Sequence, residues 1–209
     1  MSAVAESSFS DKRLNLERRA FLDMLRMANT LAEPKEIAQQ LVVLAQHLSG
    51  CEAVAVRLKA GPGFPYVASL GFPERFVAAE TMLCMTDEAG RVLRDDHRQP
   101  ILACLCGKVL MGEIDRSRAC FTNRGSFFTT STTELLRDAT LSESLGPTRT
   151  ACETEGYETV GLFPIRRDGV TYGLIQCNDT RPGRLNAKAI DLLENLATSA
   201  AHLFQLAMA

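Results

Sequence analysis

The stretch GYETVGLFPIRRDGVTYGLIQCND, residues 156–179, holds two apolar runs on either side of a single Asp-Gly pair, Asp168-Gly169. Asp-Gly between apolar runs is a strong hairpin signal, because a two-residue turn needs positive φ at both positions. The spacing predicts antiparallel strands over 157–166 and 170–178. Pro164 has no N–H to give to a ladder, so the first strand needs a free edge or a bulge near it.

Working outward, the turn Arg181-Pro182-Gly183 precedes Asn186, which can cap a helix over 187–207. That helix is apolar on two faces. Ile190, Leu193, Ala197, Ala200 and Phe204 form one; Leu192, Leu196, Leu203 and Leu206 form the other. The first face can cover a sheet and the second wants a partner. Upstream, AVAVRL (53–58) and YVASL (66–70) read as two strands joined at Gly61-Pro62-Gly63. Before them, Pro34 fits a first helical turn, and Ile37, Leu41, Leu44 and Leu48 share one face that ends at Gly50. Residues 11–32 repeat Phe21, Leu25, Ala28 and Ala32 at helical spacing, with Leu14 as an earlier member and Leu22 and Met24 widening the stripe. Such a seam pairs with another helix, of its own domain or of a second copy. Residues 1–10 are small and polar.

Between the two hairpins the signals are shorter. A helix is expected over 73–79, a polar loop over 86–99, a buried helix over 101–111, a helix starting at Thr133-Glu134-Leu135-Leu136, and a loop over 141–149. No internal repeat is evident. Hairpins dominate and the long helices flank them, so the class is α+β, an antiparallel sheet with helices on one face.

Composition narrows the function. The 209 residues are 46% hydrophobic and 23% charged, enough for one well-filled core. A formal net charge of −2 argues against a phosphate-binding nucleic-acid protein. No apolar run reaches the length of a transmembrane helix, and the N-terminal residues have neither a basic start nor an apolar core, so no membrane segment or export signal is expected. The expected location is cytoplasmic, and the seven cysteines are then expected to be reduced.

Four separated motifs carry a resemblance. They are Leu83-Cys84-Met85-Thr86-Asp87-Glu88-Ala89-Gly90, Cys104-Leu105-Cys106-Gly107, Gly125-Ser126-Phe127-Phe128-Thr129-Thr130-Ser131-Thr132, and Arg149-Thr150-Ala151-Cys152 before Gly156-Tyr157-Glu158. With the strand-rich flanks, this pattern resembles the GAF domain, in particular the cysteine-containing GAF modules of bacterial and archaeal sensor histidine kinases, over residues 35–207. The subgroup usually has Trp at the position of Phe128 and Asn at that of Thr130. The resemblance implies a GAF/PAS-like sheet of six antiparallel strands, helices packed on one face, N- and C-terminal signalling helices, and a ligand pocket on the other face roofed by the middle insertion. The expected layout is a disordered 1–10, a linker helix over 11–33 and the GAF domain over 34–209.

Four cysteines lie in those motifs: Cys84, Cys104, Cys106 and Cys152. Soft thiolates suit zinc or an iron–sulfur cluster. The alternatives are haem held through a cysteine, as the resemblance suggests, a redox dithiol at Cys104/Cys106, or buried thiols that only pack, with no cofactor. His97 lies between Cys84 and Cys104 and is the one histidine placed to join a metal site. Cys51 and Cys177 read as small buried hydrophobes, and Cys120 borders the hydroxyl-rich segment.

Ser126 and Thr129, with Thr130, Ser131 and Thr132, can offer donors to a polar ligand; equally, Ser131 or Thr132 can cap the following helix. Asn178 either satisfies a turn or faces the ligand. The expected function is a stand-alone sensory module, not an enzyme. It would bind a small ligand or a cysteine-ligated cofactor and signal through its terminal helices, as a homodimer, to a histidine kinase or other regulator. The alternatives are a ligand-free dimerisation scaffold and a GAF-type free methionine-(R)-sulfoxide reductase.

Overall fold

Asp168 has φ 51° and Gly169 φ 78°, the doubly left-handed turn that matches the twist of two antiparallel strands. The structure, a computed structural model, describes residues 33–137 and 151–208, together with Arg19, Leu22 and Arg26. Strands β4 (Thr159–Arg167) and β5 (Val170–Asp179) pair antiparallel along their whole length, from Thr159↔Asp179 to Arg167↔Val170. Pro164 uses both of the exits open to it. The register shifts between Ile165 and Arg166, and the neighbour β3 (Phe127–Thr129) stops opposite Leu162, leaving no ladder on that side of Pro164. On the far side of β5 come β1 (Ala53–Leu58) and β2 (Tyr66–Leu70), so the sheet runs β2-β1-β5-β4-β3, all antiparallel.

Among the described residues the sheet has five strands, one fewer than expected. The place of a sixth is taken by residues 120–122, which fold back on β3 through the single bridge Phe121↔Phe127.

Two long helices cover one face. Helix α1 (Pro34–Ser49) starts with a reciprocal Glu33/Glu36 capping box and ends at Gly50 in the left-handed conformation. Helix α6 (Ala187–Ala207) is capped by Asn186, whose Oδ1 accepts from the Ala189 N–H at 2.9 Å. Leu41 of α1, Leu193 and Phe204 of α6, and Val56, Phe163 and Ile175 of the sheet are buried together. Each such side chain contributes roughly 1.5–3 kcal/mol relative to exposure. Arg19, Leu22 and Arg26 have helical backbone; the rest of the expected N-terminal seam, Phe21, Leu25, Ala28 and Ala32, lies outside the described residues, as do 1–10 and 141–149.

Side chains alternate across a strand. Ile175 and Cys177 therefore face the long helices, while Leu174, Gln176 and Asn178 face the insertion. That second face is roofed by α2 (Glu74–Glu80), α3 (Cys104–Met111), α4 (Thr132–Arg137) and α5 (Ala151–Thr154). Helices therefore lie on both faces, long ones on one and short ones on the other.

The insertion does contain a repeat. Met85, Leu93 and Ile101 recur eight residues apart, and their backbones close a ring: Leu93 N–H to Met85 O, Ile101 N–H to Leu93 O, and Met85 N–H to Ile101 O, at 2.8–2.9 Å. Each connecting turn is held by an aspartate. Asp87 Oδ1 accepts from the N–H groups of Ala89 and Arg91, and Asp95 Oδ1 from those of His97 and Gln99. Gly90 and Arg98 supply the matching left-handed residues, at φ 76° and 61°. A period of eight is neither helical nor strand-like, so neither apolar periodicity reveals it.

Candidate functional site

The insertion face of the sheet carries polar groups inside apolar strands. Arg57 lies near the end of the otherwise apolar β1 and is fully buried. Its guanidinium donates to the carbonyls of Phe64 (3.0 Å), Thr81 (3.2 Å) and Glu80 (2.6 Å), and its Cζ lies 3.5 Å from the centre of the Tyr66 ring. The β1–β2 register places Arg57 opposite Tyr66. Arg57 thereby ties the end of α2 to the sheet, using a planar cation that suits both carbonyls and an aromatic face. Its Nε is buried without a hydrogen-bond partner.

A hydrogen-bonded chain continues from there. Tyr66 Oη donates to Gln176 Oε1 at 2.8 Å, and Gln176 Nε2 donates to Asn178 Oδ1 at 3.2 Å. Asn178 Nδ2 donates to Cys152 Sγ at 3.4 Å, with Gln176 Nε2 at 3.9 Å from the same sulfur. Cys106 Sγ lies 3.8 Å from Gln176 Oε1. Burial pushes the Tyr66 hydroxyl well above its ordinary range, so it stays a donor.

Above this floor sit three thiols. Cys106 is buried in α3; the neighbouring Cys104 side chain first and burial second push its thiol well above the ordinary range. Burial, then the neighbouring Cys104, pushes Cys152 up to about 12. Cys104, half-buried, has φ 66°. None of the seven cysteines forms a disulfide.

Between the thiols and the outer end of the sheet lies a cavity of about 60 Å³. Cys104, Cys106 and Cys152 line it with Phe127, Leu135 and Leu162, and Thr129 is at its edge. That volume holds a few waters or one small molecule, against roughly 300–1,000 Å³ for drug-sized ligand pockets.

The family model of the GAF domain matches residues 33–203. The chain belongs to the GAF domain family. Solved structures repeat the GAF fold at low identity. The GAF domain of a phosphoenolpyruvate-protein phosphotransferase from Coxiella burnetii is 13% identical with a TM-score of 0.58, covering 92% of each chain. The GAF domain of the Acinetobacter phosphoenolpyruvate-protein phosphotransferase is 14% identical with a TM-score of 0.57, covering 98% of this chain and 95% of that one. A domain assigned to a two-component sensor histidine kinase protein of Sinorhizobium meliloti 1021 is 16% identical with a TM-score of 0.52, covering 83% of this chain and 92% of that one. No curated protein matches the chain in sequence. GAF is a family of sensory ligand-binding modules, and no helix among the described residues is long and apolar enough to cross a membrane.

The GAF domain gathers some of the expected site residues and separates others. Cys104, Cys106 and Cys152 come together. Cys84 does not join them: its Sγ points at the Pro62 carbonyl, 3.5 Å away, beside Gly63, and its raised thiol reflects burial opposed by Arg94. His97 lies exposed in the octad turn. Among the described residues no three His, Cys, Asp or Glu side chains are placed to hold a metal ion, so a four-thiolate set is not assembled here. Asn178 faces the site and holds Cys152. Thr129 lines the cavity, although its hydroxyl donates to the Ser131 carbonyl at 2.9 Å.

Ser126, expected to offer a donor to the ligand, does not face the cavity. It lies on the opposite face, buried, donating to Glu194 Oε1 of α6 at 2.7 Å, so it is not a ligand contact in this cavity. Residue alternation along β3 explains this: Phe127 faces the insertion and Phe128 the long helices. Ser131 takes the capping role, its Oγ accepting from the Glu134 N–H at 3.1 Å. Cys51 and Cys177 are buried in the helix-side core, as expected. No sequence motif marks Arg57, Tyr66 and Gln176 as site residues. A signal for them exists nonetheless: a polar residue at an inward position of an apolar strand needs a partner inside.

Proposed function

We propose that this GAF domain is a sensory module that takes a small, mostly apolar ligand in the cavity beneath the insertion and reports its occupancy through helix α6 to a kinase or regulator. One observation carries the reading. The segment 126–129 is shared by both ends of such a path: Phe127 and Thr129 of β3 line the cavity, and Ser126, immediately before β3, is hydrogen-bonded to Glu194 of α6. Thr122 Oγ1 donates to the same carboxylate, so the whole turn before β3 is tied to the helix. A ligand that displaces Phe127 also moves the anchor of α6.

An apolar ligand is supported by the cavity wall: among the described residues Leu105, Phe127, Leu135, Leu136, Val160 and Leu162 make up half of it. Homodimerisation is part of the proposal. Val43 of α1 and Leu206 and Met208 at the end of α6 are exposed apolar side chains on the helical layer.

Xenon is a suitable probe, since apolar cavities of this kind accept it. Hydrogen exchange of the full chain is followed by mass spectrometry with and without xenon pressure. Protection along α6 from Glu194 onward is expected to change, and Leu135→Trp, which fills the cavity from α4, is expected to abolish the response. An α6 that exchanges identically with the cavity occupied rejects the transmission route.

A further inference from the structure

The outer edge of β4 is bare beyond Leu162, because β3 stops there. A second cleft of about 220 Å³ lies at that edge, and it shares no lining residue with the thiol-lined cavity. Its charges do not balance. Three arginines line it, Arg124, Arg166 and Arg167, against two carboxylates, Asp168 and Glu194. Both carboxylates are already engaged. Asp168 Oδ2 accepts from Arg167 Nε at 3.2 Å. Glu194 accepts from Thr122 and Ser126 and lies 3.7 Å from Arg124 Nε. The hydroxyls in the wall are spent as well, Ser126 on Glu194 and Thr198 on the Glu194 carbonyl. What the cleft still offers is guanidinium N–H.

Arg166 is the cation left over. It is half-buried, and it donates Nε to Thr171 Oγ1 at 2.9 Å and Nη2 to the Val109 and Leu110 carbonyls at 3.2 and 2.9 Å. All three acceptors are neutral, and among the described residues no carboxylate pairs with it. Arg167 Nη1 is turned to His202 Nδ1, 2.7 Å away. Arg166 Nη1 and Arg167 Nη2 have no hydrogen-bond partner among the described residues. Burial, and after it the charge of Arg116, lowers the Arg166 guanidinium from its ordinary value. A half-buried cation without a counter-charge is held at a cost that an anion relieves.

We propose that this cleft is a second ligand site, in which Arg166 and Arg167 take the phosphoryl group of inorganic phosphate or of a small phosphomonoester. Arginine forks match phosphate oxygens. The two arginines reach to opposite sides of β4, Arg166 to α3 and Arg167 to α6. A tetrahedral group presents oxygens in both directions at once, whereas a planar carboxylate faces one fork. The volume takes a phosphoryl group and a short remainder, and falls below the roughly 300–1,000 Å³ of drug-sized pockets. Arg124 and Glu194 line the same cleft, so a bound phosphate draws Arg124 from the carboxylate that anchors α6. The chain then has a second input to the same helix. This site differs in place and in charge from the apolar cavity, and it stands or falls separately from that reading.

The test uses the full wild-type chain and three probes, inorganic phosphate, glycerol 3-phosphate and acetate, at an ionic strength held constant with chloride. Isothermal titration calorimetry reads the affinity, and hydrogen exchange reads the place. Saturable binding of the phosphoryl probes is expected, with acetate at least about tenfold weaker. Exchange is expected to change at residues 122–128 and 164–169, which border the cleft. Arg167 is exposed, so Arg167→Gln keeps the fold; it is expected to weaken phosphate binding at least about tenfold. Arg166→Gln is expected to do the same, and Arg94→Gln, in the octad turns, to leave binding unchanged. Tighter binding of the ester assigns the rest of the cleft to its organic part, and equal or tighter binding of inorganic phosphate assigns the site to phosphate itself; each supports the proposal. It is overturned if phosphate gives no more heat or protection than chloride, if acetate binds as tightly, if Arg167→Gln binds phosphate like the wild type or no more weakly than Arg94→Gln, or if the exchange footprint falls elsewhere. A loosened α3 in Arg166→Gln does not blur the result, because the wild-type footprint and Arg167→Gln decide it.

Discussion

Replacing Arg57 by methionine removes the cation that ties α2 to the floor of the site while keeping much of its stem volume. The carbonyls of Phe64 and Glu80 lose a buried charged donor, and that of Thr81 a partly buried one. Leaving a buried acceptor unsatisfied costs about 1–3 kcal/mol, and the lost cation–π contact with Tyr66 about 1–2 kcal/mol. Water can reach the half-buried Thr81 carbonyl, and the variant no longer desolvates a guanidinium, so the net loss is about 3–5 kcal/mol. At a urea slope of about 2 kcal/mol per molar, the midpoint falls by about 2 M. Urea unfolding followed by circular dichroism in the far ultraviolet measures it. Arg57→Lys keeps the charge but not the planar fork, and is expected to lose about half as much. If the methionine midpoint moves by less than about 0.5 M, the arginine is not the tether described here.

Glu194→Gln keeps the size but halves the carboxylate's capacity to accept from Thr122 and Ser126; a loss of about 1 kcal/mol is expected in the same assay, with faster exchange of residues 122–128. Ser131→Ala removes the cap of α4 and a donor to Glu158 and is expected to cost about 1 kcal/mol, with increased proteolysis near α4 as the second readout. Asp179 is held below its ordinary value of 3.8: burial pushes it up, and Arg181 and the backbone N–H groups of Arg181 and Glu52 outweigh that. Its stabilisation is therefore complete above about pH 4 and disappears as the pH falls through the lower folded value; Asp179→Asn should flatten that acid limb, and an unchanged limb would falsify the assignment. Leu206→Glu should convert a dimer to a monomer in light scattering, whereas a wild-type chain that is monomeric at high concentration removes the dimer from the proposal.

Elements whose cause is local are legible in the amino-acid sequence. The β4–β5 hairpin follows from Asp168-Gly169, α6 from its Asn186 cap and long apolar stripe, and the stop of α1 from Gly50. Each is decided by a few neighbouring residues, so the chain carries the information in one place. The cavity thiols are half legible. Their motifs mark Cys84, Cys104, Cys106 and Cys152 alike, but motif membership does not say which way a side chain points, and Cys84 turns to Pro62. Ser126 is misplaced for the same reason: one residue along the β3 segment exchanges the ligand face for the helix face.

The face of a strand, and the contact across the sheet, are properties of tertiary packing. Arg57, Tyr66, Gln176 and Asn178 come from three strands and meet only because the register brings them there. The octad repeat escapes pattern reading because its period matches no regular element and its ring of hydrogen bonds closes through the backbone. Local sequence thus determines which elements form and where they end, since turn chemistry and apolar spacing act over a few residues. Tertiary structure decides which polar groups share the floor beneath the insertion, and that Cys104, Cys106 and Cys152 line one cavity, because both depend on atoms that no local pattern places side by side.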